Sequence, residues 1–438
     1  MQRKILFVII TLYILLAALY ALFTPKWQAP DEPAHFNYIR AIADTGALPV
    51  LQSGDYDQAY LEKIKAAKFP ASLSIDAIRY ESYQPPLYYL AATPIYLLTR
   101  GAGLDAQVFA LRMFSALLEV FALIVAFKVV REIFPSDDLL ALATVGASAT
   151  IPMHIAITAS ISNDVAAELV VTLILLVAVR RVKNSVSDQR FAIIGGVLFG
   201  AALLTKTTVY VPGALLLIAA EIARVRQLKL RFGIWGLAKL FLLSLTLFSP
   251  WLMRGAQTYG FADPLGIARH DAIVVGQPTT AEMIARYGFN HIAFDYFAVT
   301  TKSFWAQFGW MGVLVDDRIY VALFILSALA AFGFALYGAK ILRHRDLLAP
   351  PQWASIELFA ILIVATIADY LLYNLKFFQL QGRYLYPAII PLALFGVTGL
   401  REIFARDYHR AMFALLYVGM LALDAICLFA YVVPQLKA

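Results

Sequence analysis

Two carboxylic acids and an imidazole fall within one helical turn in Ala29-Pro30-Asp31-Glu32-Pro33-Ala34-His35-Phe36. Proline is favoured in the first turn of a helix, so Pro33 makes Asp31 or Glu32 a capping residue. A carboxylate there faces the positive end of the helix dipole, which favours its ionised form. A general base needs this: a deprotonated acid at a fixed place. His35, one turn on, projects from the same side. A capped helix without chemistry satisfies the same pattern. The paired acids, wedged between prolines at the end of an apolar run, favour the chemical reading.

Four other segments could meet this one. Tyr80-Glu81-Ser82-Tyr83-Gln84-Pro85-Pro86-Leu87-Tyr88-Tyr89 mixes rings with amide and hydroxyl groups. Rings suit the apolar faces of a sugar and the polar groups suit its hydroxyls, which makes Tyr83 and Gln84 candidates for sugar or acceptor binding. The competing reading is an interfacial aromatic belt. Leu204-Thr205-Lys206-Thr207-Thr208 sets a lysine among hydroxyls, and Gln379-Leu380-Gln381-Gly382-Arg383-Tyr384 follows Lys376. Cations near a membrane usually have a partner or a purpose, and the arginine fork matches phosphate oxygens; the plainer reading is snorkelling to headgroups. Ser162-Asn163-Asp164 opens an apolar run, either as a helix cap or as a polar group facing the same site. These sites, on one face with the acidic motif, lead us to expect an anionic lipid substrate. No motif demands a cofactor; a divalent metal held by Asp31, Glu32 and His35 is the one the spacing allows. Walker-type, H-E-x-x-H, C-x-x-C and G-x-S-x-G patterns are absent, which disfavours nucleotide coupling and serine hydrolysis.

The elements that must position these residues are set by composition. Of 438 residues, 61% are hydrophobic and 15% charged, and the mean hydropathy of +0.73 leaves no room for a large polar domain. Apolar runs of about 20 residues, long enough to cross roughly 30 Å of hydrocarbon, recur throughout. Backbone groups in lipid must be satisfied internally, and runs of this length do so only as helices. The fold class is therefore an all-α, polytopic transmembrane helical bundle, forming one integral membrane domain over 1–438. About eleven spans are expected, at 5–24, 108–132, 138–158, 164–181, 191–205, 207–223, 234–253, 319–341, 353–374, 384–401 and 411–433. The first is expected to be an uncleaved helix rather than a signal peptide.

The charge of +7 resides in short basic loops. Lys128/Arg131, Arg180–Lys183, Arg224–Arg231, Lys340–Arg345 and Arg401/Arg406 all fall on the side of Arg3-Lys4, which the positive-inside bias makes cytoplasmic. With no basic patch on a soluble segment, nucleic acid is not an expected partner. Two long segments, 25–107 and 254–318, then lie on the extracytoplasmic face. In the first, 33–44 has the mixed faces of an interfacial helix, and 86–99 is apolar but too short to span. In the second, Tyr287, Phe289, Trp305 and Trp310 could contact an acceptor. Cys427 is the single cysteine, so no intrachain disulfide forms. Glu119, Glu168, Asp369 and Asp424 stand out as ionisable groups inside apolar runs.

Pro30-Asp31-Glu32-Pro33-Ala34-His35-Phe36, the Tyr83–Tyr89 run, the Lys206 turn and Gln381-Gly382-Arg383-Tyr384-Leu385-Tyr386-Pro387 together resemble a family of bacterial membrane proteins. That family looks like the GT-C glycosyltransferases, which include protein mannosyltransferases and aminoarabinose transferases. The resemblance runs from the first span to about residue 400. It implies a GT-C-like bundle with juxtamembrane helices in the first loop and multi-pass residence in the inner membrane. It also implies inverting transfer of a sugar from a polyprenyl-phosphate donor to a cell-envelope glycan, lipid or protein. Asp31 matches the base, with Glu32 second. Lys206 and Arg383 match positions that neutralise the lipid phosphate, with Gln381, Tyr384 and His35 beside the donor. Tyr83, Gln84, Asn163 and Asp164 are left for sugar or acceptor. A transporter of lipid-linked saccharides, or a glycan ligase or polymerase, is the alternative; a transporter should place its ionisable groups at the bilayer midplane.

Overall fold

The computed structural model describes residues 2–229 and 234–437. Apart from one short ribbon, the regular structure in them is helical, as the need to pair every backbone group in lipid dictates. The order begins with α1 (Gln2–Phe23), followed by three helices of the first long segment: α2 (Glu32–Thr45), α3 (Gln58–Ala66) and α4 (Leu87–Thr99). The bundle continues with α5 (Leu104–Ile133), α6 (Asp138–Ala149), α7 (Pro152–Thr158), α8 (Asp164–Val182), α9 (Asp188–Leu203), α10 (Tyr210–Leu228) and α11 (Ile234–Tyr259). The second long segment folds as α12 (Ile267–Ile273), α13 (Thr280–Tyr287) and α14 (Phe289–Ala306). A ribbon follows, β1 (Gln307–Phe308) antiparallel to β2 (Val313–Leu314) with Gln307 opposite Leu314. Then come α15 (Asp317–Arg343), α16 (Pro350–Asn374), α17 (Ile389–Ile403), α18 (His409–Ile426) and, after a π-helical turn, α19 (Val433–Leu436).

Eight of the described helical stretches are long and apolar enough to cross a membrane, or nine with the bent pair α6 and α7. The sequence expected eleven. Two of the expected spans fall short of that standard: α8 carries Asp164, Glu168, Arg180 and Arg181, and α9 has only 16 residues. A third, 138–158, is not one straight helix. It bends by 70° between Ala149 and Pro152, because proline pushes the residue before it out of the helical region, and Ile151 is extended.

The helix expected to lie along the interface is wedged into the protein instead. Nine residues of α2, from Glu32 through Tyr38 with Ile39 and Ile42, are buried, and Tyr38 stacks on Tyr89 of α4 with ring centroids 3.7 Å apart. The main apolar core lies among α5, α8, α9, α10 and α16, around Val129, Val171, Ile174, Leu216 and Phe359. Without a hydrophobic driving force in lipid, helices associate through close packing at small residues. Gly333 of α15 and Gly399 of α17 meet so closely that a Cβ on Gly333 would lie 2.0 Å from the Gly399 carbonyl oxygen.

The basic loops come together at one end of the bundle. Arg180 and Lys183 pair with Glu132, Arg401 with Asp137, and Lys340 with Glu402. Arg231, grouped with them by sequence, lies outside the described residues.

Candidate functional site

The site begins with a backbone turn. Asp31 is the N-cap of α2 with φ +65°, and its side chain makes no capping bond. Aspartate tolerates this left-handed conformation better than most residues. The turn sends Asp31 and Glu32 to different partners. Glu32 is fully buried, and the Arg112 guanidinium grips it with Nε–Oε1 and Nη2–Oε2 distances of 2.7 Å. Glu32 also accepts the Trp27 and Ile161 N–H groups at 2.9 and 3.3 Å. Arg112 donates to the carbonyls of Ala21, Thr24 and Pro25. This knot fastens the end of α1 to α2 and α5.

Asp31 faces another set. It accepts the Tyr80 hydroxyl at 2.7 Å and Arg383 Nη2 at 2.5 Å. Arg383 Nη1 lies 3.5 Å from Asp164, whose other oxygen pairs with Lys206 Nζ at 2.5 Å. Lys206 also donates to Asn163 Oδ1 at 3.1 Å, and Asn163 Nδ2 points to Gln84 Oε1 at 3.5 Å. One chain of contacts, Tyr80–Asp31–Arg383–Asp164–Lys206–Asn163–Gln84, therefore joins five stretches far apart in sequence. Both readings of Ser162-Asn163-Asp164 find a counterpart: Ser162 Oγ accepts the Asp164 N–H at 3.1 Å at the start of α8, while the Asn163 and Asp164 side chains face Lys206.

Local packing fixes the cations. Arg383 sits on a 3₁₀ turn, Gly382–Ala388. A Cβ on Gly382 would lie 2.3 Å from the Phe304 nitrogen, and the Gly382 N–H donates to Ser303 Oγ at 2.7 Å. Only glycine lets the turn approach α14 so closely. The Arg383 guanidinium also lies 5.3 Å from the centre of the Tyr384 ring, a cation–π distance. Lys206 occupies the break between α9 and the turn leading into α10.

Electrostatics give each group a definite form. Burial alone would raise the Asp31 pKa, but the Arg383 guanidinium and the Tyr80 hydroxyl outweigh it, leaving the carboxyl below its ordinary value. Burial opposes the Lys206 charge as well, yet Asp164 and Glu81 hold its pKa above the ordinary value. His35, buried with Nδ1 2.8 Å from the Tyr89 hydroxyl, is lowered to about 3, chiefly by burial. Glu81 is pushed up to about 7, first by burial and then by Asp31. Glu81 Oε2, Asp164 Oδ2, Gln381 Oε1 and Arg383 Nε are buried without a hydrogen-bond partner, a concentration of unmet polar groups that folded proteins ordinarily avoid.

Not every candidate joins the chain directly. Tyr83 does, accepting from Gln84 Nε2 at 3.2 Å while it packs on the His270 ring at 4.5 Å, whereas the Gln381 side chain donates to Gln379. Lys376 pairs with Asp271 instead. Asp31, Glu32 and His35 do not converge as metal ligands; among the described residues, Glu119, His154 and Glu168 do. Sequence reasoning passed over Tyr80, although it lies inside a motif already singled out, and Arg112, hidden in an apolar run. It also passed over His270 and Asp271, for which no local signal existed. In the second loop, Trp310 donates to the Trp27 carbonyl and Phe289 is exposed.

Two spaces adjoin the charged chain. A cavity of about 20 Å³ lies between Asp164, Glu168, Arg383 and Tyr384. An apolar groove of about 500 Å³ runs between α14, α15, α17 and α18, lined by Phe304, Trp305, Leu326, Phe334, Leu385 and Ile389. Leu385 places its upper end on the turn that carries Arg383.

The family described as "Predicted membrane protein (DUF2142)" matches residues 67–393, a stretch that includes Gln84, Asn163, Asp164, Lys206 and Arg383 but begins after the Asp31 motif. No curated protein matches by sequence. ArnT from Cupriavidus metallidurans bound to undecaprenyl phosphate is similar in structure, with a TM-score of 0.52 and 15% identity over 98% of this chain and 73% of that one. Its apo state gives 0.51, with 14% identity and the same coverage. The oligosaccharyltransferase AglB from Archaeoglobus fulgidus, in complex with an inhibitory peptide and a dolichol-phosphate, gives 0.47, with 12% identity over 97% of this chain and 54% of that one.

Proposed function

The chain belongs to the DUF2142 family of predicted membrane proteins and has a GT-C-like fold, and on these premises we propose that it is a glycosyltransferase. It moves a sugar from a polyprenyl-phosphate donor to a cell-envelope acceptor on the extracytoplasmic face of the inner membrane. The observation that carries this reading is the Tyr80–Asp31–Arg383–Asp164–Lys206 chain, in which an ionised acid is held beside two cations at one partly buried place. The undecaprenyl phosphate bound by ArnT supports the class of carrier, and the apolar groove below Arg383 suits its lipid tail.

In this mechanism the donor phosphate draws Arg383 toward itself, using the unpartnered Nε, and relieves Asp31 of part of its ion pair. Asp31 then takes the proton of the acceptor hydroxyl as that oxygen attacks the anomeric carbon. The bond from that carbon to the phosphate oxygen breaks with inversion, and its electron pair leaves with polyprenyl phosphate. The phosphate gains one negative charge in the step. Lys206 and Arg383 are placed to stabilise that charge where it develops, which is where fixed electrostatics help most. Glu32, enclosed by Arg112, acts in this scheme by holding the turn rather than by taking a proton. His35 remains neutral and holds the Tyr89 hydroxyl through Nδ1.

The test is sugar transfer from a panel of radiolabelled polyprenyl-phosphate sugars to native envelope acceptors, in membranes containing the folded wild type or Asp31→Asn. Transfer by the wild type and its loss in the variant is the expected result. No transfer by either across the panel would overturn the enzyme reading in favour of transport. Undiminished transfer by the variant would remove Asp31 from the base role.

A further inference from the structure

Apart from the charged chain, Glu119 of α5, His154 of α7 and Glu168 of α8 bring ligand atoms within 4.8 Å of one another. None is more than 3% exposed. His154 Nδ1 lies 2.9 Å from the Ser148 carbonyl oxygen. A carbonyl can only accept, so Nδ1 carries a proton, and in the neutral ring Nε2 turns a lone pair to the acids. That lone pair faces Glu168 Oε2 and Oε1 at 3.1 and 3.2 Å. Both oxygens of Glu119 are buried without any partner. Three acceptors thus converge, and among the described residues no donor satisfies Glu119.

Uncompensated carboxylates inside a protein in hydrocarbon are strongly disfavoured, and a bound cation relieves them. We infer that Glu119, His154 and Glu168 bind one divalent transition ion of the zinc or manganese type. Two carboxylates balance its charge. The imidazole favours these ions over calcium and magnesium, which prefer all-oxygen shells. The bond from His154 Nδ1–H to a backbone carbonyl is the support that usually orients a ligating histidine.

The bend that Pro152 imposes between α6 and α7 serves this site. The break before Pro152 turns His154 inward, and the ion ties α7 to α5 and α8 there. His154 meets the Tyr386 ring edge-on at 4.8 Å, and Tyr386 belongs to the same turn as Arg383. Glu168 stands one helical turn after Asp164 on α8. The ion is thus a structural tie beneath the charged chain, and its existence does not depend on the transfer reading.

The test uses the full chain, purified in detergent with its affinity tag removed, from medium containing zinc and manganese. Elemental analysis should find about one transition ion per chain, as in closed protein sites. Chelation should lower the melting temperature, and Zn²⁺ or Mn²⁺, but not Mg²⁺, should restore it. Glu119→Gln and His154→Gln should lose both the ion and the restoration. Wild type that holds no ion and melts unchanged with Zn²⁺ and Mn²⁺ would overturn the inference, and Glu119→Gln at least as stable as that wild type would show that protons settle the cluster. If a variant fails to fold, the Mn²⁺ resonance spectrum of the reloaded wild type still decides: a bound, immobilised signal supports the site, and a free-ion signal overturns it.

Discussion

Glu32 and Asp31 are neighbours in the chain, both paired with arginine, yet the two ion pairs are built in opposite ways. In the Glu32–Arg112 pair the side chains are 0% and 2% exposed, both carboxylate oxygens are gripped, and the remaining guanidinium bonds go to carbonyls. In the Asp31–Arg383 pair Asp31 keeps 24% of its side chain exposed, one nitrogen makes the contact, and Arg383 Nε has no partner. A closed pair of the first kind has nothing left to offer a ligand and serves as a fastening. The open pair keeps hydrogen-bonding capacity in reserve and sits where other charges adjoin it.

Breaking the closed pair should produce the largest effect. Arg112→Met leaves a buried carboxylate unpaired and should destabilise the protein by about 3–5 kcal/mol, seen as loss of folded protein in detergent melts. Adding Glu32→Gln should recover part of that loss, because the two residues are coupled.

Breaking the open pair should spare the fold and remove the chemistry. Asn tolerates the left-handed turn as Asp does, so Asp31→Asn should melt near the wild type while transfer falls by about a hundredfold to ten-thousandfold, as for loss of a general base. Equal melting losses in Asp31→Asn and Arg112→Met would erase the distinction between the pairs. Arg383→Lys keeps the charge but loses the fork, and should lower transfer by about tenfold to a hundredfold, the value of one charge-assisted hydrogen bond.

The smallest expected effect concerns pH. Glu81, pushed up to about 7 mainly by burial and next by Asp31, is largely neutral below that value and ionises above it. Ionised Glu81 competes with the donor phosphate for Lys206. The apparent KM for donor should therefore rise a few-fold between roughly pH 6 and 8 in the wild type and stay flat in Glu81→Gln. Asp31, held below its ordinary range, should remain ionised throughout that window. A KM that rises equally in both proteins would remove Glu81 from the site.

Much of the site was legible early because its residue types are rare next to apolar runs. Asp31, Lys206, Arg383, Asn163 and Asp164 were singled out that way, and they meet. Sequence could not separate Asp31 from Glu32, because a single positive φ sends them to different partners. It also treated α2 as interfacial, since its polar residues look solvent-facing until Asn37 is seen donating to the Ile75 and Ile78 carbonyls and His35 meeting Tyr89. The bend in 138–158 was signalled by Pro152, but a count of apolar residues does not register direction.

Sequence alone determined the class of the protein, because twenty-residue apolar runs in water or lipid have one physical solution. It also determined which loops share the basic end, because charge bias is local to each loop. Which acids acquire cations and which do not was decided only by tertiary structure. Arg112 reaches Glu32 from 80 positions away and Arg383 reaches Asp31 from 352, while Glu119 and Glu168 converge on His154 and, among the described residues, pair with no lysine or arginine. Pairings over such distances depend on helix packing, and helix packing in lipid is set by close steric fit that no local pattern encodes.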